Sequence, residues 1–194
     1  MDLNFVANEM ITHVPICTHA DPKRILIING DKEIEYELDK YKFEEIINID
    51  ADNAIKKLQE LGNKKFDIAI VNDNSLTNSR EFWIELTKML DSKGVVAIKM
   101  SNIISNPKEA KEELKVAGAI YPIVMPYRYE SFKDNAVAQE YLMLASRFYH
   151  PTADINLQRA DLTDGHRYYN SDIAVAAFAV PTFIYKDYLG VIKR

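Results

Sequence analysis

Four compact apolar runs, each ending in a polar turn and most leading into a helix-periodic stretch, constrain this chain more than anything else in it. They are RILIING (24–30), EEIINID (44–50), FDIAIVN (66–72) and GVVAIKM (94–100). Unbroken apolar runs of this length suit strands buried on both faces, as in a parallel sheet. Between them, 31–40 is charged and helix-compatible, and 52–61 carries Ala54, Ile55, Leu58 and Leu61 on one stripe with Gly62 as its stop. A helix over 79–90 shows Phe82, Trp83, Leu86 and Leu90 on one side, and Asn106-Pro107 opens the next. This alternation predicts an α/β fold, a mostly parallel sheet with helices on both faces.

The flanks are less regular. Residues 4–18 read as a short amphipathic helix through Phe5, Val6, Met10, Ile11 and Val14, closed by a turn at Asp21-Pro22. Late strands are expected near 119–125 and 140–147, followed by an irregular stretch over 148–170. SDIAVAAFAV (171–180) reads as a small-residue helix that Pro181 interrupts before TFIYKDYL continues.

With 194 residues the whole chain, 1–194, is expected to form a single domain. No apolar run nears the roughly 18 residues of a membrane span, and no leader peptide is legible. Cys17 is the only cysteine, so no internal disulfide can form and a cytoplasmic location is the default. The net charge of −5 argues mildly against a nucleic-acid partner and is compatible with a cationic ligand, although a solvated acidic surface is the more ordinary account of it.

In an open α/β sheet, ligands bind at the carboxyl ends of the strands. The residues expected there are Asn29, Gly30 and Asp31; Asp50 and Asp52; Asn72, Asp73, Asn74 and Ser75; and Lys99, Ser101 and Asn102. Such a rim suits hydroxyls and positive charge. Asp31, Asp52 and Ser79 also read as plain helix N-caps, and one glycine is thin material for a phosphate cradle. His13, His19, His150 and His166 are scattered without metal-ligand spacing, so no metal site is expected. His13 reads as a packing or surface residue, and Cys17 as a small buried hydrophobe. Tyr121, Tyr127, Tyr129 and Phe132 fit either an apolar slot or core packing.

Three stretches resemble the spermidine synthase family of aminopropyltransferases. NEMITHVPICTHADPKRILIINGD (8–31) follows the family's E-M-x-x-H-x-P segment into its glycine loop. FDIAIVNDNS (66–75) sits at the family's D-x-I-I-x-D-S strand and loop. RYYNSDIAVAAFAVPTFIYKDYL (167–189) follows its R-Y-Y-N ending, with Arg167, Tyr168, Tyr169, Asn170, Ala176, Ala177, Phe178, Pro181 and Phe183 in register. The resemblance implies a Rossmann-like, methyltransferase-like sheet with the family's N-terminal β domain missing or vestigial. It implies aminopropyl transfer from decarboxylated S-adenosylmethionine, as co-substrate and with no tightly bound cofactor, to putrescine, in a homodimer.

On that resemblance Asp73 is the amine-binding base. Gly30 and Asp31 hold the aminopropyl end of the donor, Asp50 or Asp52 its ribose or adenine, and Tyr127 or Tyr129 line the polyamine channel. Several chemical positions depart from the pattern. The glycine loop shrinks to Asn29-Gly30-Asp31-Lys32, Asn72 replaces the catalytic Asp, and Ala174-Val175 replace a His-Arg pair. Residues 45–58 also align with a later segment of the family, in which case one strand-helix unit is missing. A catalytically degenerate relative, acting as a nucleoside-binding or assembly partner, is the alternative.

Overall fold

The computed structural model describes residues 3–133 and 135–194. In chain order its elements are α1 (Asn4–Thr18), β1 (Arg24–Ile28), α2 (Lys32–Leu38), β2 (Glu45–Ile49), α3 (Ala54–Glu60), β3 (Phe66–Val71), α4 (Arg80–Met89) and β4 (Leu90–Lys99). They continue as α5 (Pro107–Gly118), β5 (Ile123–Lys133), β6 (Ala136–Ser146), α6 (Leu157–Leu162), α7 (Ser171–Ala176) and α8 (Thr182–Asp187). The six strands form one sheet in the order β2-β1-β3-β4-β6-β5. The first four are parallel, and β6 and β5 run antiparallel at one side. No helix among the described residues is long and apolar enough to cross a membrane.

Strand residues alternate between two cores, which is why the apolar runs are unbroken. Leu26 and Ile28 of β1, Ala69 and Val71 of β3, and Val96 and Ile98 of β4 face α3, α4, α5 and α8. Ile25 and Ile27, Ile68 and Ile70, and Val95 and Ala97 face α1, α2, α6 and α7. At the β2 edge the pattern changes, and Ile46 is 44% exposed.

The second half of the chain departs from expectation. The late strands are much longer than the sequence suggests and form a hairpin whose register runs from Ile123↔Ser146 to Lys133↔Ala136. β4 stops pairing at Lys99↔Leu142. The hairpin continues six residues further, to Ala136, and so projects roughly 20 Å past the parallel strands. Polar residues and Pro126 hid it from a hydrophobicity reading. The outer side of β5 is occupied near its start. Val124 and Lys193 exchange backbone hydrogen bonds of 2.9 Å, Pro126 has no N–H to offer, and Arg128 N–H donates to the Ala177 carbonyl at 3.0 Å. The small-residue helix is also shorter than expected, because α7 stops at Ala176.

The N-terminal helix α1 is not amphipathic in place, because it is buried on nearly every side from Glu9 to Thr18. Two of its polar residues, Glu9 and His13, find partners in α2, at Tyr41 and in the segment 166–170. The Glu9 carboxylate accepts the backbone N–H groups of Arg167, Tyr168 and Tyr169 at 2.9–3.0 Å. His13, wholly buried rather than on the surface, bonds to the Tyr41 hydroxyl at 2.8 Å and to Glu37 at 2.7 Å. The His166 ring lies 4.1 Å from the His13 ring.

Burial holds His13 below its ordinary 6.5 despite Glu37. His166 falls to about 4 through burial and the neighbouring His13 and Lys40. Both rings therefore stay neutral in the fold while the unfolded chain takes up protons below pH 6.5. Stability should fall as pH drops from about 6.5 towards 4. The Glu37 carboxyl is shifted down by its hydrogen bonds to His13 and Lys40, against its burial, so its loss belongs below its ordinary 4.5. Thermal unfolding midpoints between pH 7.5 and pH 4.5 check this, with a smaller fall expected for His166→Gln. A flat profile contradicts the account.

Candidate active site

The turns after β1, β2 and β3 are hydrogen-bonded into one rim at the carboxyl edge of the sheet. Asn29 N–H donates to the Ile49 carbonyl at 2.7 Å, and Asn72 N–H to the Ile28 carbonyl at 2.9 Å. The Asn72 amide donates to the Asn29 carbonyl at 3.1 Å, and the Asn29 amide returns a 3.4 Å bond to the Asn72 carbonyl. Asn29 sits at φ 59°, a left-handed conformation that asparagine tolerates. The loop after β3 is fixed from both sides. Thr77 Oγ1 donates to the Lys99 carbonyl at 3.1 Å, and the buried Trp83 indole donates to the Thr77 carbonyl at 2.8 Å. Beyond β4, Ser101 gives its N–H and hydroxyl to Glu113, each at 2.8 Å.

The glycine turn is filled by a side chain from β2. Asn48 accepts the Gly30 N–H and donates to the Gly30 carbonyl, both at 3.1 Å. Gly30 is required by space. A Cβ there would lie 2.4 Å from Ile27 Cγ2 and 3.2 Å from the Asn48 amide.

The fold gathers Gly30, Asp31, Asp50, Asp52 and Asp73 onto this rim, and gives most of the carboxylates local partners. Asp31 caps α2, accepting N–H groups from Glu33 and Ile34 at 3.0 Å each. Asp50 is exposed and paired with Lys57 at 2.7 Å, and that ammonium lowers its carboxyl below the usual range. Asp52 stands exposed in the turn before α3. Asp73 is half-buried and accepts the Ser75 N–H at 2.6 Å and the Ser75 hydroxyl, closing a turn.

The tyrosines part company. Tyr127 is fully buried beneath Phe178, with its hydroxyl 3.4 Å from the Met10 carbonyl, so it faces core rather than a channel. Tyr129 is half-buried on the projecting hairpin, where burial first and the Glu140 carboxylate second push its hydroxyl up to about 12. Asn72 matters beyond its place in the strand. It is 9% exposed, and its side-chain oxygen is buried without a hydrogen-bond partner. Its 72–73 position marked it in the sequence, but the orphaned acceptor needed coordinates.

Cavities are found among the described residues. One of about 300 Å³ is bounded by Ile27, Glu35, Leu38, Asp39, Ile46 and Asn48. Another of about 390 Å³ runs along residues 160–170.

The spermine/spermidine synthase domain matches residues 4–60 of this chain. A polyamine aminopropyltransferase from Helicobacter pylori (strain HPAG1) is 24% identical over 211 residues, covering 97% of this chain and 78% of the relative. One from Clostridium kluyveri is 24% identical over 227 residues, covering 93% and 77%. Among solved structures, spermidine synthase from Thermotoga maritima superposes with a TM-score of 0.84 at 22% identity, over 97% of this chain and 76% of that one. A spermidine synthase in complex with the transition-state analogue AdoDATO gives the same figures. The chain is thus similar to the spermidine synthase family in fold along nearly its whole length, and in sequence most clearly at its amino-terminal third.

Proposed function

We propose that this rim binds an adenosyl sulfonium and a diamine, and that the chain transfers an aminopropyl group from decarboxylated S-adenosylmethionine to putrescine. The observation that supports this best is the joining of three strand-end turns into one rim carrying Asp31, Asp50 and Asp73. In the reaction, an amine nitrogen of the diamine attacks the methylene beside the sulfonium. The C–N bond forms, the C–S bond breaks, and methylthioadenosine leaves as a neutral thioether. The surplus ammonium proton goes to a base, and Asp73 is the rim carboxylate next to the orphaned oxygen of Asn72. That oxygen accepts an N–H of the amine and aims it, while Asp73 takes the proton. Asp31 faces the donor's ammonium, and Asp50 or Asp52 the ribose hydroxyls. Tyr129 borders the diamine. The same reading carries a cytoplasmic homodimer with no tightly bound cofactor.

A second reading is ligand binding without turnover. Asn72 cannot accept a proton, and the Asn48 amide fills the turn at Gly30. One experiment separates the two. Pure protein at high concentration is incubated with decarboxylated S-adenosylmethionine and putrescine, and methylthioadenosine is measured. Product formation supports transfer. No product, with calorimetric binding of methylthioadenosine intact, leaves the second reading, and neither product nor binding sinks both.

A further inference from the structure

The opposite end of the sheet holds a cluster that plays no part in this chemistry. His19 follows α1, Asp67 is the second residue of β3, and Asp91 is the second residue of β4. One ring nitrogen of His19 and one oxygen from each carboxylate lie within 4.8 Å of one another. The sequence spreads these residues over more than seventy positions, so no ligand spacing announces them. Strand register brings the two carboxylates together. Phe66 lies opposite Leu90 but Ile68 opposite Val95, so β4 bulges just where Asp91 sits.

The local hydrogen bonds orient each group and leave a donor atom over. Asp67 Oδ2 accepts the Lys23 and Arg24 N–H groups at 2.8 Å each, leaving Oδ1. Asp91 Oδ1 accepts the Lys93 N–H at 2.6 Å, leaving Oδ2. The backbone of His19 is fixed by the Arg159 guanidinium, which donates to the carbonyls of Ile16 and His19 at 2.7 Å and of Ala20 at 2.8 Å. The His19 ring is 6% exposed and packs edge-on to Tyr149.

We propose that His19, Asp67 and Asp91 form a binding site for a divalent transition metal ion of the zinc class. One borderline imidazole with two hard carboxylates is a mixed donor set that suits Zn²⁺, Co²⁺, Mn²⁺ or Fe²⁺, whereas Ca²⁺ and Mg²⁺ want all-oxygen shells. Metal bonds near 2.1 Å place donors roughly 3–3.4 Å apart, so the side chains close slightly around the ion, and water fills the remaining positions. The bound ion offsets two adjacent negative charges. The backbone N–H bonds to both carboxylates are the outer shell that holds them in place. The Asp21 N–H bond to His19 Nδ1, long at 3.2 Å, is given up on binding. Ligation at Nδ1 displaces it directly, and ligation at Nε2 moves the ring proton to Nδ1. The ion clamps the end of α1 to the starts of β3 and β4, a stabilising role independent of the transfer chemistry proposed above.

The test uses the full chain stripped with chelator, then supplied separately with Zn²⁺, Co²⁺ and Mg²⁺. Expected are one equivalent of Co²⁺ developing visible d–d bands, and a rise in the unfolding midpoint with saturating Zn²⁺ on the order of 5 °C. Mg²⁺ is expected to do neither. Asp91→Asn keeps the Asp67 bonds to β1 intact and should weaken Zn²⁺ binding at least tenfold, with an unchanged far-ultraviolet spectrum. His19→Gln should do the same. Absence of Co²⁺ bands, or Zn²⁺ affinity unaltered in the folded Asp91→Asn protein, overturns the site.

Discussion

Glu9→Ala is expected to destabilise the protein by about 4 kcal/mol, the figure for stripping one partner from a buried charge network. The carboxylate is wholly buried and takes three successive backbone N–H groups, from Arg167 to Tyr169. Alanine would leave those donors, of which the Tyr169 N–H is buried, without their acceptor. It would also free the Arg167 guanidinium, which stands 3.7 Å from the carboxylate and stacks over Phe5. For a domain of this size the midpoint should drop by about 10 °C. Glu9→Gln keeps one acceptor oxygen and should lose roughly half as much. Urea unfolding of both variants measures it. A loss under 1 kcal/mol for alanine would mean that water or a rearranged loop satisfies the three amides.

Asp73→Asn is expected to lower the rate of aminopropyl transfer by about 10²–10⁴-fold, the usual contribution of a positioned general base. The substitution is selective. An asparagine oxygen can still accept the Ser75 N–H that closes the turn, so the loop keeps its shape. The capacity to take a proton and the negative charge are removed. Stability should change by less than about 0.5 kcal/mol, as for surface substitutions generally. The loss should appear mainly in kcat, with a smaller rise in KM because the carboxylate's attraction for the cationic diamine goes as well. Rate constants from initial-velocity assays on both proteins decide it. An unchanged kcat would remove Asp73 from the mechanism and send the search for a base elsewhere on the rim.

The parallel half of the sheet was legible because its strands are buried on both faces. Ile25 to Ile28 show nothing but apolar side chains whichever core they enter. The hairpin was not, because past Leu142 it leaves the sheet and its residues become exposed or half-buried on both faces. The rim was half legible. Strand-end topology placed Asp31, Asp50 and Asp73 correctly along one edge, and capping by Asp31 was foreseeable from its position. The Asn48 bond to Gly30 spans eighteen residues, and no local spacing encodes it. His13 looked like packing because a histidine in an apolar helix carries no sign of a glutamate twenty-four residues away. Tyr127 and Tyr129 are alike in sequence and share one face of β5, yet Tyr127 lies under Phe178 where β4 still backs the hairpin, while Tyr129 lies past that point and is half-buried.

The two borders of the sheet are unequal. From Val124 to Arg128 the outer side of β5 has its amides taken by Lys193 and Ala177 or abolished by Pro126, while β2 has no strand beyond it among the described residues. The start of the β5 border therefore cannot accept a further strand, while the β2 border can. Two copies that meet through β2, like against like, use up that border on both molecules.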